Sequence, residues 1–190
     1  MQLNVRRLSA SFWAGAAVVV LTGFLYLATL QHDINGADGP YTPDVGEIVN
    51  ALNLWGTLHQ AGYPVFSVMG SAFVTLVRLA GIPPAMAASL WSWVWGLATV
   101  GLTYGIALRL TGRWPIASGA AMLYAVSRSL WVNASIAELH TFSMALAALA
   151  MLLAFRIADG DHDGDFRWLA FVLGLAVSHQ RALILLAPSL

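Results

Sequence analysis

The chain has 190 residues, of which 59% are hydrophobic and only 9% charged; nine arginines balance nine acids to a net charge of zero, and there is no cysteine. A soluble domain carries roughly 25% charged residues, so water is not this chain's only solvent, and the balanced charge gives no electrostatic case for nucleic acid or a polyanionic partner. Without cysteine there is no disulfide framework and no thiolate metal site, and the candidate metal ligands are His, Asp and Glu.

In chain order, Arg6 and Arg7 precede an uncharged stretch over 11–30. It is long enough to span a bilayer, which takes about 20 apolar residues, and no small-residue cleavage site follows it, so it reads as a retained first helix rather than a secretory signal. Further apolar stretches run over 61–77, 85–108, 114–127, 139–155 and 168–180, the last continuing past Arg181 to the end of the chain. If every stretch crossed, Arg109, Arg113, Arg156 and Arg167 would face away from the side that holds Arg6 and Arg7, against the tendency of arginine to collect in cytoplasmic loops. The segment 61–77, short and opened by Gly62-Tyr63-Pro64, is the one expected not to cross. The resulting expectation is an all-α, polytopic transmembrane helical bundle of about five spans with the N-terminus inside. It is a single transmembrane domain over 1–190, with 31–62 as the first extracytoplasmic loop. The expected setting is an integral, multi-pass protein of a bacterial inner (plasma) membrane.

The first outer loop begins with His32, Asp33, Asn35 and Asp38 and continues as Thr42-Pro43-Asp44-Val45-Gly46-Glu47. Thr42 suits an N-cap and Pro43 a first helical position, so a helix should start here. Val45, Ile48, Val49, Leu52, Trp55 and Leu58 recur at helical spacing, which predicts an amphipathic helix lying on the membrane with Trp55 at its interface. Asp44 and Glu47 fall on one face of its first turns. They either complement the positive end of the helix or form an active-site acid pair, in which a partly desolvated carboxylate takes a proton from an attacking hydroxyl. Spacing alone does not choose.

A second outer loop, around Trp131 to His140, carries Glu138 and His140; Glu138 is the one acid between Glu47 and Asp159. Ionisable groups at membrane depth are costly, which makes function the default hypothesis for them, against the alternative of an interfacial loop anchored by Trp131. Asn133-Ala134-Ser135 fits the N-glycosylation pattern, which has force only in a eukaryotic secretory host. His179 and Arg181 stand in the last apolar stretch. A lone His there commonly bonds a neighbouring helix, but Arg181 cannot shed its charge and would suit an anionic lipid phosphate. Asp159-Gly160-Asp161-His162-Asp163-Gly164-Asp165 matches half of an EF-hand loop, but Ala170 stands where the bidentate Glu belongs, so a solvated turn is expected.

Four of these segments together, Pro43-Asp44-Val45-Gly46-Glu47, His59-Gln60-Ala61-Gly62-Tyr63-Pro64, Ala137-Glu138-Leu139-His140 and Gly174-Leu175-Ala176-Val177-Ser178-His179, resemble in order and spacing the front part of the protein O-mannosyltransferase-like membrane family. That family belongs with the GT-C glycosyltransferases, so the bundle would be a GT-C-like N-terminal module. The family pattern has Asp-x-Gly-Glu in the first outer loop, a His-Pro-Pro-Gly-x-Pro turn, a Glu-Val-Tyr in a later outer loop and a Gly-Leu stretch ending in His. Here His59-Gln60-Ala61 departs from the second and His140 stands at the tyrosine of the third. The resemblance implies sugar transfer, with inversion, from a polyprenyl-phosphate-linked donor to a protein or glycan hydroxyl on the extracytoplasmic face. Asp44 matches the acid that serves as base or positions the acceptor; Glu47, His59, Glu138 and His179 match landmarks that line the cavity. His140 and Arg181 are counted with them as substrate-binding, and a divalent cation is compatible but not required. Partners would be the lipid-linked donor, the acceptor and membrane lipids, with no nucleic acid. Asp44, Glu138 and His179 should then converge on one outer cavity. The chain is expected to be the front part of a longer protein. A non-catalytic lipid-binding or transporter subunit is the alternative class; it would accommodate Arg181 but calls for internal repeats, and none is visible in the hydrophobic spacing.

Overall fold

The computed structural model describes residues 2–33, 42–59, 62–160 and 164–189. Among them every regular element is helical: α1 (Gln2–Ala28), α2 (Thr42–Leu54), α3 (Pro64–Arg78), α4 (Pro84–Thr111), α5 (Trp114–Ala125), α6 (Arg128–Ser135), α7 (His140–Ala158) and α8 (Asp165–His179), followed by a 3-10 segment, Arg181–Ser189. Proline opens α3, α4 and α5, where its missing N–H is one the first turn would leave unbonded anyway.

Among the described residues, three helices are long and apolar enough to cross a membrane: Ser9–Ala28 within α1, Pro84–Thr111 and His140–Ala158. The polytopic helical class stands, and the expected five spans are somewhat more than these residues show. α5 has 12 residues and α8 has 15, or about 18 and 22 Å at 1.5 Å per residue, against a hydrocarbon core of about 30 Å. Exposed Trp13, Trp114 and Trp168 sit near one end of the bundle and exposed Trp55 belongs to the other, as interfacial aromatics do.

α4 is the central helix, packed against α1, α2, α3, α5, α6 and α7. α1 runs antiparallel to it: the Tyr104 hydroxyl donates to the Ser11 carbonyl near one end, and the Trp93 indole N–H to the Gly23 carbonyl 3.0 Å away toward the other. α5 and α6 pack against both α4 and α1, and the Tyr26 hydroxyl of α1 donates to the Ala125 carbonyl at the end of α5 at 2.7 Å. Gly96 of α4 permits their approach, because a β-carbon there would stand 2.6 Å from that of Ala134. The α1 end and the α6 end are tied where Gln31 N–H donates to the Ser135 carbonyl at 2.7 Å. Asn53, at the end of α2, donates to the carbonyl of Pro84, the first residue of α4, at 3.1 Å. α2 and α3 therefore leave and re-enter the same end of the bundle.

At the other end, Arg109 pairs with Asp159 (2.8 Å) and Arg156 with Asp165 (2.7 Å). Both terminal acids of the EF-hand-like stretch are thus held by arginines, which agrees with a turn. Asp161, His162 and Asp163 lie outside the described residues, as do Asn35, Asp38, Gln60 and Ala61.

Three local expectations need correction. The apolar side of α2 does not lie on the membrane: Val45, Ile48, Val49 and Leu52 are buried in one core cluster with Phe66 of α3 and Ala87, Ala88 and Trp91 of α4, while Trp55 is exposed. The stretch around Trp131 is not a loop. Ser127 caps α6, its hydroxyl accepting the Leu130 N–H at 3.4 Å. The last apolar helix does not continue through Arg181. Gln180 is extended (φ −141, ψ 113) and a 3-10 segment follows. Ser143 fixes the change of direction: its hydroxyl donates to Gln180 Oε1 at 2.7 Å and lies 3.0 Å from His179 Nε2, fastening consecutive residues of the turn to α7.

Candidate functional site at the end of the bundle that carries α2 and α3

α2 presents Asp44 and Glu47 from its first turns. Asp44 is exposed and, among the described residues, has no hydrogen-bond partner; Glu47 is half-buried. Glu47 closes the far end of its own loop: Oε1 accepts the His59 backbone N–H, and Oε2 lies 2.6 Å from His59 Nδ1. This contact raises the pKa of His59 above its ordinary 6.5, with the Glu47 charge acting in the same sense. Ligand atoms of Asp44, Glu47 and His59 all lie within 4.8 Å of one another.

The turn after His59 is held in an unusual conformation. Gly62 (φ 70) and Tyr63 (φ 42, ψ 55) are both left-handed, which glycine takes freely and tyrosine does not. Strain of this kind persists where surroundings over-determine it. Here the Tyr63 ring lies between two histidines, its centroid 6.1 Å from that of His59 and 5.3 Å from that of His179.

Glu138 is 2% exposed and its carboxylate faces inward. Oε2 accepts the Leu139 N–H at 2.8 Å and lies 2.9 Å from His140 Nδ1. Its backbone is clamped by Ser92 of α4, whose hydroxyl donates to the Glu138 carbonyl and accepts the Glu138 N–H, both at 2.8 Å. The His140 side chain is half exposed. His179 is fully buried, walled by Phe66, Phe142 and Tyr63.

The two loops lie at the same end of the bundle, close enough that the charges of Asp44 and Glu138 both act on the His59 ring. Of the seven residues singled out in the sequence, Asp44, Glu47 and His59 form one close group, and Glu138 and His140 a second pair. The His179 ring touches Tyr63, which neighbours His59, but is packed in the aromatic core. Arg181 is exposed at the start of the 3-10 segment. Sequence reasoning missed Ser92, a serine within a span whose spacing carries no signal, and Tyr63, whose neighbours Gly62 and Pro64 at least marked a turn.

These features define a helical membrane protein with a carboxylate and histidine cluster at one end of its bundle. The family model described as the Protein O-mannosyl-transferase TMEM260 N-terminal domain matches residues 44–190, and the chain belongs to that family. It is 24% identical over 181 residues to the mouse protein O-mannosyl-transferase TMEM260, a match that covers 93% of this chain and 25% of the mouse protein. The chain thus spans about a quarter of the length of that relative. No solved structure matches.

Proposed function

We propose that the chain is the front part of a membrane glycosyltransferase of GT-C type, which transfers a sugar, mannose in the first instance, from a polyprenyl-phosphate-linked donor to a hydroxyl of a protein or glycan. The observation that carries this reading is that the Asp44, Glu47 and His59 group and the Glu138–His140 pair, contributed by two loops far apart in the chain, stand at the same end of the bundle within each other's electrostatic influence. The family membership and the name of the mouse relative support the same class.

The chemistry asked of these groups is modest. An acceptor hydroxyl attacks the anomeric carbon, the bond from that carbon to the phosphate oxygen breaks, and the hydroxyl proton passes to a carboxylate as polyprenyl phosphate leaves. Asp44 is exposed and faces the other members of the cluster, so it suits the role of base or acceptor-positioning group. Glu47 and Glu138 are held by His59 and His140, which suits a positioning role beside Asp44. Arg181, exposed two residues after buried His179, suits the donor phosphate by its chemistry. Arg109 and Arg156 at the opposite end, with α1 starting there, favour an orientation with that end in the cytoplasm and the site outside. A plasma membrane is the proposed setting.

The test is co-expression of the longest natural form with Ser- and Thr-containing acceptors, followed by mass spectrometry. Added hexose that depends on a polyprenyl-phosphate sugar supports the reading. Stable insertion without any added hexose contradicts it.

A further inference from the structure

Apart from the acid and histidine groups, the same end of the bundle holds a cavity of about 490 Å³, within the roughly 300–1,000 Å³ usual for small-molecule sites. His32 and Asp33 line it from the end of α1, Asn50, Asn53 and Leu54 from α2, and Arg78 and Pro84 from the junction of α3 with α4. The cavity carries one full charge of each sign. Arg78 and Asp33 are both exposed and, among the described residues, neither has a hydrogen-bond or ion-pair partner, although they line the same cavity. A purely anionic ligand would meet Asp33 and a purely cationic one Arg78, so charge complementarity selects a zwitterion.

Asn53 adds an acceptor. Its amide nitrogen donates to the carbonyls of Val49 at 2.8 Å and Pro84 at 3.1 Å, whereas its Oδ1 is buried with no partner among the described residues. Buried amide oxygens are ordinarily bonded, and a ligand N–H on this cavity would satisfy this one. The surroundings are those of a membrane surface. Leu54 lines the cavity, Leu76 and Leu79 stand on either side of Arg78 in the chain, and all three are exposed. Trp55, also exposed, follows Leu54 and is fixed to α3 by its indole N–H, which donates to Thr75 Oγ1 at 3.2 Å. Exposed leucines beside an interfacial tryptophan suit contact with lipid. Arg78 precedes the start of the α4 span by a short connection, which is the level of a lipid headgroup.

We propose that this cavity binds the headgroup of a zwitterionic phospholipid of the phosphoethanolamine kind, with the phosphate on the Arg78 guanidinium and the ammonium shared by Asp33 and Asn53 Oδ1. The guanidinium presents paired donors to phosphate oxygens, and the three N–H groups of a primary ammonium suit a carboxylate and an amide oxygen together. A choline headgroup has no N–H to give them. A glycerol headgroup brings no positive charge to Asp33. The acyl chains lie against Leu76 and Leu79. A lipid held in this way bridges the end of α1 to the end of α3 across α2, the helix that presents Asp44 and Glu47. The site does not rest on the transferase reading.

The experiment uses the full chain, delipidated in detergent and titrated with short-chain phosphatidylethanolamine, phosphatidylcholine or phosphatidylglycerol, bound lipid being counted by native mass spectrometry. One saturable phosphatidylethanolamine per chain is expected, held at least about tenfold more tightly than either of the others. Arg78→Gln should weaken it at least about tenfold, and Asp33→Asn should remove the preference over phosphatidylglycerol. Arg128→Gln, at an arginine that does not line the cavity, should change binding less than about threefold. Helical content and elution volume show that the variants keep the fold. Free phosphoethanolamine separates a lipid from a soluble ligand of the same chemistry, and it should compete only at concentrations far above those of the lipid. Competition by phosphoethanolamine as effective as by the lipid overturns the assignment. So does the absence of saturable binding, equal affinity for the three lipids, or binding indifferent to both Arg78→Gln and Asp33→Asn.

Discussion

The Ser92 hydroxyl holds Glu138 by its backbone from both sides, donating to its carbonyl and accepting its N–H at 2.8 Å each. Ser92 and Glu138 are both buried, so one side chain of the central helix fixes where the second loop delivers its carboxylate. Ser92→Ala leaves the Glu138 N–H without this partner inside the protein, at a cost of about 1–3 kcal/mol. Thermal unfolding in detergent should show the loss. Sugar transfer by the longest form should fall as well, mainly through kcat, because Glu138 and His140 lose their register against Asp44. An unfolding midpoint equal to wild type would show that Ser92 does not hold the loop.

Gly96 and Ala134 set how closely α6 approaches α4. A β-carbon on Gly96 would stand 2.6 Å from that of Ala134, inside van der Waals contact, so Gly96→Ala should destabilise by about 1–3 kcal/mol through overpacking. Ala134→Gly in the same chain should recover part of that cost, a coupling that distant sites do not show. Unfolding midpoints of the two single variants and the double variant make the measurement. Strict additivity would contradict the close approach.

The Glu47 and His59 pair gives a pH signature. Glu47 raises the pKa of His59 above 6.5 by its hydrogen bond and its charge. The folded protein therefore favours protonated His59, and the pair's contribution to holding the loop is complete below about pH 6.5 and is lost as pH rises through the raised value. Glu47→Gln should bring the His59 titration midpoint down toward its ordinary value, as read from its ring proton resonances. An unchanged midpoint would mean that the pair does not form.

Much of this was legible in the sequence because charge is scarce in it. Asp44, Glu47, Glu138 and His179 stood out among apolar residues, and the arginines indicated which ends of the helices belong together. Arg109 and Arg156 at one end and Asn53 against Pro84 at the other agree with that layout. The span count was less legible, since uninterrupted hydropathy over 114–127 and from 168 onward does not reveal a helix ending after 12 or 15 residues. The end of α8 depends on Ser143, a contact between residues 36 apart in the chain that no local pattern encodes. Val45, Ile48, Val49 and Leu52 do form one apolar face of α2, whereas Trp55 and Leu58 lie beyond its end; periodicity does not say whether lipid or protein covers that face, and α3 and α4 do. Ser92 resembled any other small polar residue in a span.

The central claim is that catalysis resides in the cluster around Asp44 and Glu138 and not elsewhere on the bundle. The most direct measurement is the initial rate of hexose transfer to a Ser- or Thr-containing peptide by the longest form carrying Asp44→Asn, Glu138→Gln or Asp159→Asn. Asp159 is partnered with Arg109 at the opposite end. The account predicts that Asp44→Asn lowers the rate at least a hundredfold, in the range of general base catalysis, roughly 10²–10⁴-fold. Glu138→Gln should lower it at least tenfold, and Asp159→Asn should stay within a factor of about two to three for a surface pair. An Asp44→Asn protein that transfers hexose at the wild-type rate, or equal losses in all three variants, would contradict it.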